Sequence, residues 1–332
     1  YLGSGSRGNG AVISAGSTHV LLDCGFPAGE AERRLQRLGL SATDLAAVLV
    51  THEHGDHIGG VSALARRHRL PVYMTLGTRA AGKMHADVDV RVIDGHSPFA
   101  LEALEILPYP VPHDARQPCQ FVFHDGQWRL GVLSDAGCIT PHIREMLAPC
   151  DALAIEFNHD LDMLARGPYP PSLKTRVGGR LGHLSNCQSA ALLGELGAER
   201  LQHLVLAHLS EQNNSPALAQ QAAATALAVD QDWVQLADQA DGHRTGHPAL
   251  AEHRHGFDID EAGPGDLWAL IVDTSVKGNH DEGLDFGEEG EGSLKLGIWN
   301  VDAKENTDDA LKMVESEEGD LSVLLAKLIS KD

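Results

Sequence analysis

The chain has 332 residues, 42% of them hydrophobic, and a formal charge of −21, which is enough for one large or two smaller domains with a real core. The acidity disfavours a surface that coats nucleic acid generally, and no run approaches the roughly 20 apolar residues that span a bilayer. Five scattered cysteines, Cys24, Cys119, Cys138, Cys150 and Cys187, never in C-x-x-C spacing, argue against a disulfide framework or a zinc ribbon.

Since no charged, then apolar, leader opens the chain, we expect a soluble, cytoplasmic protein with no membrane contact and reduced core cysteines, and, as it opens on Tyr1, a native start upstream. The opening Gly3-Ser4-Gly5-Ser6-Arg7-Gly8-Asn9-Gly10 reads as a flexible turn into a strand at 11–13, with residues 19–25 as its hairpin partner. A helix at 28–38 stops at Gly39. A strand at 46–50, a helix at 60–68 and a strand at 71–74 follow, and this alternation points to an α/β layered domain. Candidate strands come next at 88–93, 101–107, 120–124 and 128–134. The apolar runs 151–157 and 201–207 flank a helix near 185–196.

The organising stretch is Thr51-His52-Glu53-His54-Gly55-Asp56-His57, set directly after the apolar run 45–50. Three imidazoles and a carboxylate on a tight loop suit zinc, iron or manganese. Alternate histidines facing one way, with Asp56 and His57 facing the other, provide for two adjacent cations. One loop cannot fill two sites, so other strand ends must contribute. The candidates are His113 in Val111-Pro112-His113-Asp114-Ala115, Asp135 in Leu133-Ser134-Asp135-Ala136-Gly137, and His208 in Leu206-Ala207-His208-Leu209-Ser210. Taken singly, His113 also fits a turn residue, His208 a satisfied strand-end histidine, and Asp135 a carboxylate at a helix start before Pro141. The heptapeptide favours ligands.

The succession Asp23, His52-x-His54-x-Asp56-His57, His113, Asp135, His208 resembles the five motifs of the metallo-β-lactamase fold. Gly3-Ser4-Gly5-Ser6-Arg7-Gly8-Asn9, Asn158-His159-Asp160, Tyr169-Pro170 with Leu173-Lys174-x-Arg176, Gly182-His183-Leu184-Ser185-Asn186 and His208-Leu209-Ser210-Glu211-x-Asn213-Asn214 resemble its YycJ/WalJ-like branch. The resemblance covers about residues 1–240 and implies an α/β, four-layer αβ/βα sandwich. It implies that His52, His54 and His113 hold one divalent cation and that Asp56, His57 and His208 hold another, with Asp135 bridging them. Zinc or manganese would serve, and iron is admissible. Two cations about 3.5–4 Å apart lower the pKa of a shared water, so the implied nucleophile is hydroxide attacking phosphorus in line. Asp23 is implied to orient the histidine loop, and Glu156 and His159 are candidates for similar support. In phosphodiesterases of this fold an extra histidine contacts the scissile phosphate. His183 is the candidate here for protonating the leaving oxygen, against simple capping of the next helix with Ser185 and Asn186.

Lys174, Arg176 and Arg180, with Arg166 upstream, form a local basic cluster suited to phosphate contact; the alternative is a solvated surface run. Val-Pro-His113-Asp-Ala departs from the T-P-G-H-T-like stretch of glyoxalase II thiolesterases. About 70 residues between Asp135 and His208 leave no room for the domain that RNase J-like and cleavage-factor members insert. No cysteine takes a motif position, unlike class B lactamases. A phosphodiesterase remains, and the branch implies a DNA exonuclease acting 5′ to 3′ on duplex ends. An RNA-processing or small-molecule cyclic phosphodiesterase is the alternative, and a metal-binding interaction protein without turnover is a third reading.

From Asp258 onward there are 20 acidic residues against 6 lysines and no arginine, a net −14 of the total −21. Residues 241–265, rich in His, Gly and Pro, read as a linker whose His243, His247, His253 and His255 are solvated. Residues 266–332 read as a small acidic α+β segment of unknown fold and function, with strands at 267–272 and 294–301. Amphipathic helices are expected over 309–331, broken near Gly319, and no internal repeat is evident. A protein-partner or dimer contact, an acidic gate and a foreign segment are the readings of this part. Gly278-Asn279-His280-Asp281, also found in calcineurin-like phosphoesterases, lacks that family's other motifs and reads as a chance match.

Overall fold

The computed structural model describes residues 1–237 throughout and, beyond them, nine strands between Phe257 and Lys331. Contacts divide the chain into two compact units, Tyr1–Thr245 and Gly246–Asp332.

In the first unit two sheets face one another. One orders β1 (Ala11–Ala15), β2 (Thr18–Leu22), β3 (Leu45–Leu49), β4 (Val72–Thr75) and β5 (Val90–Ile93) side by side. Its β1–β2 pair is antiparallel and the rest parallel. The other runs in chain order from β6 (Phe99–Leu101) through β7 (Leu104–Pro110), β8 (Cys119–His124), β9 (Arg129–Leu133), β10 (Ala152–Glu156) and β11 (His203–Ala207) to β12 (Gln235–Leu236). It is antiparallel as far as β9 and parallel from there on. The strand expected at 101–107 is broken, because the chain reverses between β6 and β7 with Glu102 at φ 51°.

Nine helices occur among the described residues: α1 (Ala28–Arg37), α2 (Gly55–Ile58), α3 (Val61–His68), α4 (Leu76–Ala81), α5 (Pro141–Leu147), α6 (Leu161–Arg166), α7 (Pro171–Val177), α8 (Asn186–Leu196) and α9 (Pro216–Leu227). Their ends follow local chemistry. Gly39, at φ 69°, closes α1; Thr140 caps α5 ahead of Pro141, and Ser185 with Gln188 forms a capping box on α8.

Strand alternation separates three cores. Leu21, Val48 and Val50 face α1 and α3 with Leu35 and Leu64. Their neighbours Val20, Leu22 and Leu49 face Phe121, Phe123 and Val132 across the inter-sheet space. Val122, Leu133 and Ile155 face α5, α8 and α9 with Ile143, Leu192 and Ala223. Three apolar layers between four of secondary structure make the αβ/βα sandwich. None of the described helices is long and apolar enough to cross a membrane.

The second unit differs from expectation. Its described strands, β13 (Phe257–Glu261), β14 (Leu267–Val272), β15 (Ser275–Lys277), β16 (Leu284–Glu288), β17 (Leu294–Trp299), β18 (Val301–Lys304), β19 (Lys312–Glu315), β20 (Ser322–Leu325) and β21 (Leu328–Lys331), form three parallel three-stranded sheets. Phe257 pairs with Leu284, Leu267 with Leu294 and Val301 with Leu328, always 27 residues apart. The helices expected over 309–331 are replaced by β19, β20 and β21, and β13 occupies part of the expected linker. The local spacing of Val323, Leu324, Leu325 and Leu328 suits helix or strand, whereas the 27-residue interval is a repeat only stacking satisfies. Gly265, Gly292 and Gly319, and Lys277, Lys304 and Lys331, recur at that interval. The four linker histidines and Gly278-Asn279-His280-Asp281 lie outside the described residues.

Phe121 is fully buried between the two sheets of the first unit. Phe121→Ala is expected to destabilise that unit by about 3–5 kcal/mol, read as a lower denaturant midpoint at unchanged slope. A loss under about 1 kcal/mol would contradict the packing described.

Candidate metal centre

The site assembles where strands end. β2 ends at Leu22 and Asp23 follows; β3 ends at Leu49 and Thr51-His52 follow; β9 leads to Asp135, β10 to Glu156 and Asn158, and β11 to His208. Asp23, Asp135 and His208 have φ of 58°, 51° and 56°. Left-handed backbone in non-glycine residues costs about 1–2 kcal/mol each, and here it turns each chain sharply as it leaves its sheet.

Each imidazole is oriented from behind. Asp23 accepts from the backbone N–H and Oγ1 of Thr51, both at 2.8 Å, and from His57 Nδ1 at 2.8 Å. His52 Nδ1 lies 3.0 Å from Thr51 Oγ1, and His113 Nδ1 donates to the Gly182 carbonyl at 3.0 Å. His208 Nδ1 lies 3.1 Å from Glu156 Oε1. With these outer nitrogens engaged, His52 Nε2, His57 Nε2, His113 Nε2 and His208 Nε2 carry lone pairs inward in the neutral rings.

The inward atoms gather in two groups. His54 Nδ1 lies 3.0 Å from His52 Nε2 and 3.2 Å from His113 Nε2. Asp56, His57 and His208 form the second group, with Asp56 Oδ2 3.6 Å from His57 Nε2 and 3.7 Å from His208 Nε2. Asp135 lies between them: its carboxylate is 3.2 Å from His57 Nε2, 3.5 Å from His208 Nε2 and 3.9 Å from His113 Nε2. Convergent ring nitrogens and carboxylates, and a buried His208 Nε2 lacking any hydrogen-bond partner, fit divalent cations. All seven residues named from the sequence as ligands are brought together.

Residues 18–209 match the family described as a beta-lactamase superfamily domain. The chain is 32% identical over 231 residues to "Exodeoxyribonuclease YycJ" of Bacillus anthracis, covering 68% of this chain and 87% of that protein. The chain belongs to the metallo-β-lactamase superfamily, in its YycJ/WalJ-like branch. "Exodeoxyribonuclease WalJ" of Streptococcus pneumoniae is likewise 32% identical, over 236 residues, with the same 68% and 87% coverage. The metallo-β-lactamase fold protein YhfI from Bacillus subtilis shares the fold, with a TM-score of 0.57 at 17% identity over 73% of this chain and 96% of that one.

A cleft of about 360 Å³ opens on this metallo-β-lactamase centre, lined by Asp56, Asp135, His183 and His208 together with Ser6, Asn158, Tyr169, Leu173, Arg176 and Ser210. His183 Nδ1 donates to Glu156 Oε1 at 2.8 Å. Glu156 is fully buried and also accepts from the N–H groups of Ala136 and Leu184, both at 3.1 Å. Arg176 reaches the cleft and pairs with Asp114 at 2.5 Å. The other proposed phosphate contacts do not gather there. Lys174 Nζ donates to the Ala165 carbonyl, Arg180 is not among the lining residues, and Arg166 lies 3.9 Å from Asp162. His159 is buried with Nδ1 3.3 Å from Asn158 Oδ1, behind the cleft lining.

Sequence reasoning missed Ser4, Asn9, Thr51, Asp114 and Asn158. Residues 3–10 are no flexible turn: Ser4 and Asn9 are buried, Ser4 Oγ accepts from the His208 N–H, and Asn9 Nδ2 lies 3.2 Å from Asp56 Oδ2. The signal was present, since this stretch carries part of the family resemblance, but glycine and serine also mark ordinary loops. Gly25 is needed for close approach, because a Cβ there would meet the Asp56 carbonyl oxygen at 1.9 Å.

In the metal-free protein the two groups differ electrostatically. Burial lowers the pKa of His52, with the nearby His57 adding to it, and burial likewise lowers His113, so these two rings are held neutral. Burial opposes charge on His208 too, but Asp135, Asp56 and Glu156 hold it up to about 10; Asp135 and Asp23 likewise raise His57 well above the usual histidine range. A histidine raised in this way stabilises the metal-free fold fully below about pH 6.5, and that contribution fades as the pH climbs through about 10. Ligation requires neutral rings, so cation uptake must expel these protons. Loading metal-free protein with Zn²⁺ near pH 7.5 is expected to release about two protons, read by calorimetry in buffers of different ionisation enthalpy. A heat independent of the buffer would contradict the protonation described.

Proposed function

We propose that this hydrolase cleaves phosphodiester bonds of DNA as an exonuclease working 5′ to 3′, using two divalent cations, zinc or manganese with iron admissible. The observation that carries the reading is the pair of convergent ligand groups with Asp135 between them at the cleft. His52, His54 and His113 would hold one cation; Asp56, His57 and His208 would hold the other, and Asp135 would touch both. Bound there, divalent cations supply an activated water and neutralise charge on the phosphoryl oxygens.

The chain's own residues do the rest. Asp23 and Thr51 keep the histidine loop in register, and Glu156 keeps the outer nitrogens of His183 and His208 occupied. With Nδ1 on Glu156, His183 has Nε2 free for the substrate and can hand its proton to the leaving 3′-oxygen. Burial lowers the His183 pKa but the Glu156 carboxylate more than offsets it, which favours the protonated donor. Arg176 can exchange Asp114 for a substrate phosphate, while Tyr169, Leu173 and Leu209 offer apolar contact to sugar and base. The names of the YycJ and WalJ relatives support DNA as the polymer.

The test is metal-loaded protein incubated with 5′-labelled and 3′-labelled duplex DNA, RNA, a 3′,5′-cyclic nucleotide and bis-p-nitrophenyl phosphate. Release of 5′-labelled mononucleotide ahead of 3′ label is expected, with His54→Ala and Asp135→Ala lowering kcat/KM by about 10³-fold, several kcal/mol of transition-state stabilisation. His183→Ala should lower kcat by about 10²-fold or more. Turnover that survives both ligand substitutions would sink the two-cation reading, and faster cleavage of RNA or cyclic nucleotide would displace DNA.

A further inference from the structure

The residues that position the two ligand groups belong to different parts of the chain. His52, His54 and His113 are backed by Thr51, the Gly182 carbonyl and Asp114. Among the described residues the opening loop, residues 3–10, makes no hydrogen bond to any of those three. It bonds to all three members of the other group. Asn9 Oδ1 accepts from the Gly5 N–H at 2.8 Å, which fixes the amide so that Nδ2 faces the site. That nitrogen lies 3.2 Å from the Asp56 carbonyl, 3.2 Å from Asp56 Oδ2 and 3.0 Å from His57 Nε2. The Asn9 N–H also donates to the Asp56 carbonyl at 2.7 Å. Ser4 Oγ accepts from the His208 N–H at 2.6 Å, at the residue whose φ is 56°.

The contacts lie on the ligating atoms or one bond removed from the backbone that aims them. Asn9 Nδ2 donates to Asp56 Oδ2, the oxygen that also faces His57 Nε2 and His208 Nε2, and so fixes the rotation of the carboxylate within its ligand group. Ser4 satisfies the donor exposed where β11 stops pairing and so holds the strained turn that carries His208 inward. Both side chains are buried, and neither reaches the substrate cleft.

We propose that Asn9 and Ser4 are positioning residues for the cation held by Asp56, His57 and His208, and for that cation alone. Resting on the two-cation reading, this makes the opening loop the element that sets how tightly the second site fills. The loop then tunes the second cation directly and reaches the first only through the shared Asp135. The group of His52, His54 and His113 has no bond to the loop, and the other is only as good as the loop's hold on it.

The test measures Zn²⁺ uptake by equilibrium dialysis with metal analysis, independently of activity. Wild type is expected to bind two equivalents. Asn9→Ala should weaken one step about 10–100-fold and leave the other in place; Ser4→Ala should weaken the same step, and Ser4→Thr, which keeps the hydroxyl, should restore it. His208→Ala and His54→Ala backgrounds assign the steps: Asn9→Ala should weaken uptake in the His54→Ala protein and not in the His208→Ala protein. Melting of the metal-free variants reports folding, and Ser4→Ala carries the test if Asn9→Ala does not fold. Unchanged uptake, or equal weakening of both steps in folded protein, overturns the inference while the two-cation reading stands. A single equivalent in wild type overturns both.

Discussion

The Asp23 carboxylate accepts three hydrogen bonds, from the N–H and hydroxyl of Thr51 and from His57 Nδ1, and the placement of the histidine loop follows from them. It ties the end of β2 to the end of β3, while the neighbouring Asp23 N–H to Leu49 and Cys24 N–H to His57 bonds continue the pairing past the sheet. A buried carboxylate is tolerable only when its lone pairs are met, and here they are met by the groups that must be held still. Hydrogen bonds to a charged acceptor contribute about 1.5–3 kcal/mol each, more than the about 1–2 kcal/mol that its left-handed backbone costs. The strained turn at Asp23 is therefore stable because of what the side chain does.

Topology explains why a second sheet can complete the site. β9, β10 and β11 are parallel neighbours, so residues following them emerge at one edge of their sheet, as those following β2 and β3 do in the other. Ligands in open α/β sheets gather at the carboxyl ends of strands for this reason. The apolar residues of each strand fix the sheet, and the first polar residues after it face the site. Asp135 and His208 can thus approach His57 from the opposite sheet although 78 and 151 positions separate them from it in the sequence.

This rule is also why so much of the centre was legible. His52, His54, Asp56, His57, His113, Asp135 and His208 each follow an apolar run, and the chemistry of their side chains has few other uses in such a pattern. The parts that were misread depend on contacts no local pattern encodes. Residues 3–10 have the composition of a mobile turn, and bonds to Gly25, Asp56, His57 and His208, distant in sequence, hold them in place. Lys174, Arg176 and Arg180 are neighbours in sequence but sit on and beyond the short helix α7, which presents them in different directions: Arg176 lines the cleft while Lys174 caps the Ala165 carbonyl. In the second unit the helical reading of 309–331 rested on spacing within one stretch. The strands there satisfy a 27-residue interval, a longer correlation that outweighs local periodicity because each strand needs the preceding one to complete its hydrogen bonds.

Glu156 joins the two halves of the proposed chemistry. One oxygen, Oε1, accepts from both His183 Nδ1 and His208 Nδ1, while Oε2 is fixed by two backbone N–H groups. The His183 and His208 charges and hydrogen bonds overcome the burial that would raise its pKa and bring it down to about 2, so the oxygens remain acceptors throughout the neutral range. A cation on His208 Nε2 would make that ring's Nδ1–H a stronger donor to Oε1 and so reduce the negative charge available to His183. In the proposed mechanism the leaving-group donor would then become more acidic as the second cation binds. The same loop that positions His208 through Ser4 would thereby act on the acid as well as on the metal, although neither Ser4 nor Asn9 lines the cleft.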